Sequence, residues 1–245
     1  MKLKLLVLFW TIATAMNAQM PDGKEIIRRI DQNMSSENRV FTSRMIINGR
    51  RNVRTVEAKT WTAGEKRSFT EYLFPARELG TKMLKLDDQL WIYSPSSDRI
   101  IQIAGHMLRQ SVMGSDMSYE DMMEDGKLLN HYNAGVIGTE RLGERDCWVV
   151  KLTAFDPEVA YQEKKLWVDQ QRNIPLKEEM YAKSGTLLKR TELSDIVNLN
   201  GRWFPKKIVF KDMLREGDGT EFHIIDIQFN VPIPDYIFSK AGLKK

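Results

Sequence analysis

The side chains best suited to acid–base or metal chemistry gather in one stretch. Asp116, Glu120, Asp121, Glu124 and Asp125 lie close together, with His106 and His131 on either side. Paired carboxylates run general acid–base chemistry, or hold calcium through oxygen ligands. The spacing Asp116-x-Ser118-x-Glu120 partly matches a calcium loop, but Asp121 stands where a glycine is required and no glutamate closes the loop. Ser118-Tyr-Glu-Asp121 has instead the layout of a helix capping box, and acids in a first turn complement the helix dipole. His106, His131 and His223 are the three histidines, and HExxH, GxSxG and P-loop patterns are absent. Cys147 is the one cysteine, so an internal disulfide or a cysteine metal centre is excluded. Its neighbours Trp148, Val149 and Val150 mark a buried strand, where it serves as a small hydrophobe. We therefore assign no catalytic residue, metal or cofactor. A metal-assisted hydrolase built on 116–125 with His106 or His131 stands as the enzyme alternative.

The same stretch carries a second signal. Met107, Met113, Met117, Met122 and Met123 are five of the 13 methionines, set between Gly105 and Met123. Methionine is unbranched and polarisable and suits an irregular or changeable apolar surface. The bland reading is gap-filling in a core. The sharper one is a lid or mouth over an apolar ligand site. Trp61, Trp91, Tyr93, Trp148, Trp167 and Trp203 fall on strands or their ends, and large apolar side chains with few polar groups are the usual lining of a pocket.

The surrounding elements must position these residues. Asp22 with Glu25 three places on marks a helix start. Ile26, Ile27, Ile30 and Met34 then recur at helical spacing, and the helix ends near 35–38. From Val40 the pattern is nearly all strand: 40–47, 53–62, 67–74, 81–86, 89–93 and 99–103 before the methionine stretch. After it come 132–142, 145–153, 164–169, 174–181, 187–198, 203–211 and 220–229. Asn48-Gly49, Ala63-Gly64, Asp87-Asp88, Gly143-Glu144 and Asn200-Gly201 are turn dipeptides between them. Gly126 closes a short central helix. Short strands with regular turns, and no βαβ rhythm, predict one mainly β domain whose meander curls into a sandwich or barrel. Two short helices cannot cover the inner face of so large a sheet. A partly open barrel plugged by them leaves a groove, with the methionine stretch at its rim.

Lys2 and Lys4 precede an apolar run from Leu5 to Ala15, then Asn17-Ala18-Gln19. This is a secretory signal peptide over 1–18, leaving one domain over 19–245, with Ala15 as the alternative cut. The run is shorter than the roughly 20 residues of a membrane span. No cysteine adjoins the cut, so no lipid anchor is expected. The formal charge is +4 from 37 basic and 33 acidic residues spread along the chain. Without a basic face or motif, a nucleic-acid partner is not expected.

Trp91-Ile-Tyr-Ser-Pro95, Arg99-Ile-Ile-Gln-Ile-Ala-Gly-His-Met-Leu-Arg-Gln-Ser111 and Met113-Gly-Ser-Asp-Met-Ser-Tyr-Glu-Asp-Met122 together resemble the outer-membrane lipoprotein-sorting, LolA-like family. So do Pro175-Leu-Lys-Glu-Glu179, Gly201-Arg-Trp-Phe-Pro205 and Phe229-Asn-Val-Pro-Ile-Pro-Asp235, so the resemblance spans nearly the whole mature chain. It implies a strongly curved antiparallel sheet forming an incomplete β-barrel, with the N-terminal and central helices plugging its open side. It also implies a periplasmic, non-enzymatic carrier or sensor of a lipid or lipoprotein acyl chain, working beside an inner-membrane exporter of the resistance–nodulation–division type. On this reading Met107, Leu108, Met113, Met117, Tyr119 and Met122 form the mouth or cover of the cavity, with Trp91 and Tyr93 in its wall. A non-binding accessory subunit of an envelope complex is the reading from another class.

Overall fold

The computed structural model describes residues 20–49, 52–124 and 127–245. The proposed signal peptide, Asp125 and Gly126 lie outside the described residues.

The helix α1 (Gly23–Met34) begins where the Asp22 carboxylate accepts the Lys24 N–H at 3.0 Å. Glu25 does not return to the cap as its spacing suggested. Arg28 and Arg29, one turn on, draw its carboxylate at 3.5 and 3.1 Å. Ile26, Ile27 and Ile30 form the buried stripe. Gly23 lets the helix start against the sheet, since a Cβ there would lie 2.8 Å from the Ala134 backbone.

Thirteen strands follow. They are β1 (Asn38–Asn48), β2 (Val53–Ala63), β3 (Arg67–Phe74), β4 (Lys82–Leu86), β5 (Gln89–Ser94) and β6 (Arg99–Ile103). After the long connection come β7 (Tyr132–Leu142), β8 (Arg145–Ala154), β9 (Glu163–Asp169), β10 (Pro175–Tyr181), β11 (Leu187–Leu199), β12 (Arg202–Asp212) and β13 (Gly219–Phe229). All pair antiparallel in one sheet, ordered β6-β5-β4-β3-β2-β1-β13-β12-β11-β10-β9-β8-β7. The predicted strands therefore hold, nearly to the residue. The sheet is open, not closed into a barrel: β6 and β7 are its two edges, and β1 and β13 pair at its middle.

This order gives the connection 104–131 an unusual task. Every other pair of consecutive strands is adjacent in the sheet. This one runs from one edge of the sheet to the other, and it contains α2 (Tyr119–Met123). It crosses the inner face, the face that also carries α1.

Register assigns the faces. Thr60 sits opposite Thr70, Thr70 opposite Met83, and Met83 opposite Ile92, so these share the inner face. Inner-face packing comes in three groups. Ile26, Ile27 and Ile30 of α1 pack on Tyr132, Val150, Leu152, Leu166 and Val168. Met113 packs on Met45, Ile47, Val56, Ala58 and Tyr72. Met107, Leu108, Tyr119, Met122 and Met123 pack on Met83, Leu90 and Ile103. On the outer face the C-terminal segment covers β3–β5, with Phe238 and Leu243 against Phe69, Leu84 and Trp91. Strand β8 is buried on both sides: Val150 and Leu152 face α1, while Cys147 and Val149 pack outward with Trp167. Cys147 is fully buried, and that burial pushes its thiol up to about 11. A thiol so protonated is a poor nucleophile.

Candidate functional site

Two cavities lie side by side on the inner face. The first, about 400 Å³, lies between α1, α2 and strands β9–β12. Its apolar wall includes Ile30, Met34, Leu166, Met180, Ile208 and Phe210. The second, about 350 Å³, lies over β1–β3 beneath the crossover. Phe41, Val56, Ala58, Tyr72, Met117 and Phe222 line it, with hydroxyls from Ser43, Thr60 and Thr70. Both fall in the size range of small-ligand pockets.

The crossover is fixed over them by polar ties, and these come from the run Gly114-Ser-Asp-Met-Ser-Tyr-Glu-Asp121. Gly114 has φ +74°, and a Cβ there would meet the Arg54 guanidinium at 2.6 Å. Arg54 Nη2 donates to the Met113 carbonyl at 3.1 Å. Asp116 accepts from the Asp212 N–H at 3.0 Å and from Thr220 Oγ1 at 2.8 Å, which binds the crossover to the β12–β13 hairpin. Arg215 donates to Ser111 Oγ at 3.0 Å and to the Ser115 carbonyl at 2.6 Å. Ser118 and Asp121 close the expected capping box at 3.2 and 2.7 Å.

Two acids of α2 then cross to the sheet. Asp121 receives Lys189 Nζ and the Tyr161 hydroxyl. Glu124 lies 2.6 Å from Lys164 Nζ, which is also 3.3 Å from Glu178. Lys164 is only 2% exposed. Lys85 Nζ donates to the Met122 and Met123 carbonyls at the end of α2, at 3.4 and 3.3 Å.

The same low-dielectric setting moves the two acids in opposite directions. Burial works against ionised Asp121, but Lys189, the Ser118 N–H and the Tyr161 hydroxyl outweigh it and hold the carboxyl below its ordinary value. Burial dominates at Glu124, and Glu178 adds to it, so this carboxyl stays above its ordinary value despite Lys164. Burial also opposes the Lys164 ammonium, yet Glu178 and Glu124 together keep it charged and raise its pKa.

Of the residues expected to form the mouth, Met117 and Met122 line the second cavity. Met113 packs over its Met45–Tyr72 wall, and Met107, Leu108 and Tyr119 form the layer behind Met122. Trp91 and Tyr93 are placed differently from the expectation. They fall in the outer-face group with Phe238 and Leu243, and Lys240 stands 4.1 Å over the Trp91 ring. The physical reason is parity: Leu90 and Ile92 take the inner face, so their neighbours point away. Trp61, Trp148, Trp167 and Trp203 are also outside both cavity walls. The aromatic lining consists of Phe41, Tyr72, Phe210 and Phe222.

The acidic stretch is occupied structurally. Asp116 and Asp121 are saturated by the ties just described, and no group of three or more His, Cys, Asp or Glu among the described residues has the arrangement of a metal site. His106 is exposed. His131 Nδ1 pairs with Asp156 at 2.7 Å, and His223 Nε2 with Glu221 at 2.9 Å. None of the three lines a cavity.

An open antiparallel sheet has its inner face roofed by a helix and a crossover, with apolar space beneath. A family model described as that of an uncharacterized protein matches residues 64–245, and the chain belongs to that family. No curated protein matches the chain. Solved structures do. A DUF1329 family protein from Desulfovibrio piger is 25% identical over 90% of this chain and 97% of its own, with a TM-score of 0.81. A putative outer membrane lipoprotein-sorting protein domain from Vibrio parahaemolyticus is 22% identical over 91% and 98%, at 0.80. A LolA superfamily protein from Nitrosomonas europaea is 24% identical over 91% and 100%, at 0.76. The shared property is the fold.

Proposed function

We propose that the protein is a non-enzymatic periplasmic binding protein that carries or senses the acyl chain of a lipid or lipoprotein on its inner face. The observation that carries this reading is the pair of apolar-lined cavities beneath α1 and the crossover. Burying an acyl chain contributes about 0.8 kcal/mol per methylene, so one chain supplies useful affinity. A carrier must also release. A cover that meets the ligand through Met117 and Met122 deforms at lower cost than one of branched side chains. Exchange with an inner-membrane exporter of the resistance–nodulation–division type belongs to the same proposal and rests on the family resemblance.

The test is native mass spectrometry of protein purified from the periplasm without detergent, followed by lipid extraction and identification. A bound acylated molecule at fixed stoichiometry is expected, together with displacement of a fluorescent fatty acid. An apo mass without displacement overturns the reading in favour of an accessory envelope subunit.

A further inference from the structure

Four residues line both cavities: Arg39, Gly64, Glu65 and Glu124. Three of them lie at one end of the sheet. Arg39 stands near the start of β1, opposite Thr62 of β2, and Gly64 and Glu65 form the turn that follows β2. Gly64 is exposed, as is Ser35, which lines the first cavity beside this seam. The other end is shut. There Val112 and Met117 flank a fully buried Ser115, and Asp116 is bound to the β12–β13 hairpin. The two cavities thus adjoin at this seam and diverge from it. One passes beneath α1 towards Met180 and Phe210, the other beneath the crossover towards Val56 and Met117.

The seam has its own chemistry. The Arg39 guanidinium donates to the Met34 carbonyl at 3.3 Å and lies in the field of Glu65. A guanidinium has five donor hydrogens, more than one carbonyl uses. Glu65 flanks this point, so a carboxylate or phosphate placed there meets a like charge. A neutral ester carbonyl accepts from Arg39 without that repulsion.

We propose that the two cavities take the two chains of a single diacylglyceryl group, whose ester carbonyls sit at the seam and accept hydrogen bonds from Arg39. This deepens the acyl-chain reading above and rests on it. Both chains leave one glyceryl unit, as both cavities diverge from one seam. Once the first chain is seated, entry of the second is intramolecular, which strengthens binding by about 10²-fold or more. Diacylglyceryl groups occur in free phospholipids and on the N-terminal cysteine of lipoproteins, and the seam recognises what they share.

The experiment compares soluble dioctanoylglycerol with monooctanoylglycerol, by native mass spectrometry and calorimetry on the mature protein. The diacyl ligand is expected to bind once, about a hundredfold more tightly than the monoacyl one. The monoacyl ligand is expected to bind twice. Thr191→Trp plugs the first cavity alone and Ala58→Trp the second alone. Each should reduce diacyl affinity to the monoacyl level and leave one monoacyl site, whose retention shows that the variant is folded. Met180→Trp and Met117→Trp replace any plug that does not fold. Arg39→Gln should weaken diacyl binding about tenfold at unchanged stoichiometry. Equal affinity for the two ligands, or a plug without effect on diacyl binding, overturns the inference and leaves the acyl-chain reading standing. If neither ligand binds, the acyl-chain reading itself fails. A dioctanoyl phosphatidylglycerol arm and a diacylglyceryl-cysteine peptide arm identify the source by which binds more tightly; equal binding places recognition in the glyceryl unit.

Discussion

The two cavities share a face, four lining residues and nearly the same volume, yet their walls are built differently. The first is crossed by ion pairs, Lys164 with Glu124 and Glu178, and Lys189 with Asp121. The second adds hydroxyls to the charged residues it shares with the first, and Thr60 and Thr70 meet at 3.0 Å between their Oγ atoms. The difference follows from what holds each roof. Above the first cavity, α2 ends in acids that must be neutralised from the sheet. Above the second, the crossover meets the cavity through methionines, and its polar ties, at Arg54, Asp116 and Arg215, lie outside the lining. A paired charge lining is rigid, because separating it exposes uncompensated charge at low dielectric. A lining of hydroxyls and thioethers carries no such restoring force.

Perturbing each wall sharpens the contrast. The largest effect is expected from Lys164→Ala, which leaves Glu124 and Glu178 without their shared buried cation. Urea unfolding should show a loss of about 3–5 kcal/mol. Adding Glu124→Gln and Glu178→Gln to Lys164→Met should recover most of it, because the whole network is then gone. Met45→Ala, in the second wall, should cost roughly 2–4 kcal/mol as a cavity-forming change. It should leave the pH dependence of stability unaltered. Gly114→Ala strains the tie to Arg54 and should cost about 1–3 kcal/mol, since φ +74° disfavours any side chain.

Acid titration separates the two acids of α2. Asp121 is held below its ordinary value of 3.8, so its stabilisation is present above that pH and is lost as pH falls through the lower folded value. Glu124 is held above its ordinary 4.5, so the folded state binds its proton more tightly, and stability declines as pH rises through that window. Urea midpoints between about pH 3 and 7 should show a smaller acid-side fall in Asp121→Asn, with Asp169 and Glu179 supplying the remainder, and a smaller later decline in Glu124→Gln. The smallest effect is expected from the paired Thr60→Val and Thr70→Val change, within about 1 kcal/mol, because both partners of one hydrogen bond are removed together. A large loss there would show that the second wall is held as tightly as the first and would break the comparison.

Strand positions were legible because period-2 alternation and turn dipeptides are local. Arg67–Phe74, Arg99–Ile103 and Tyr132–Leu142 begin and end where the pattern places them. The capping box Ser118–Asp121 was legible for the same reason. The face of each strand was not. Alternation says that Trp91 and Tyr93 share a side, but their side is set by which long segment lies on which face. Phe238 and Leu243, far along the chain, claim that side of β5. Lys164, Lys189 and Arg39 escaped notice because a lysine or arginine in a strand reads as solvated, and their partners come from distant segments. Parity did carry a usable signal at Lys164, two places before Leu166 and four before Val168, on the face that takes α1.

The pairing of β1 with β13 sets a condition on how the molecule is made. Arg39 meets Phe229 at the middle of the sheet, so the strands nearest the two ends of the domain close its centre. The meanders β1–β6 and β7–β13 pair strands adjacent in sequence, whereas their seam must wait for the last strand to be synthesised. Until then both meanders expose unpaired edges, which invite association with other chains. The long separation across the seam also gives slow, high-contact-order folding. A nascent chain held extended until β13 emerges avoids that hazard, and a chain truncated before Gly219 keeps two ladders but has no strand to join them.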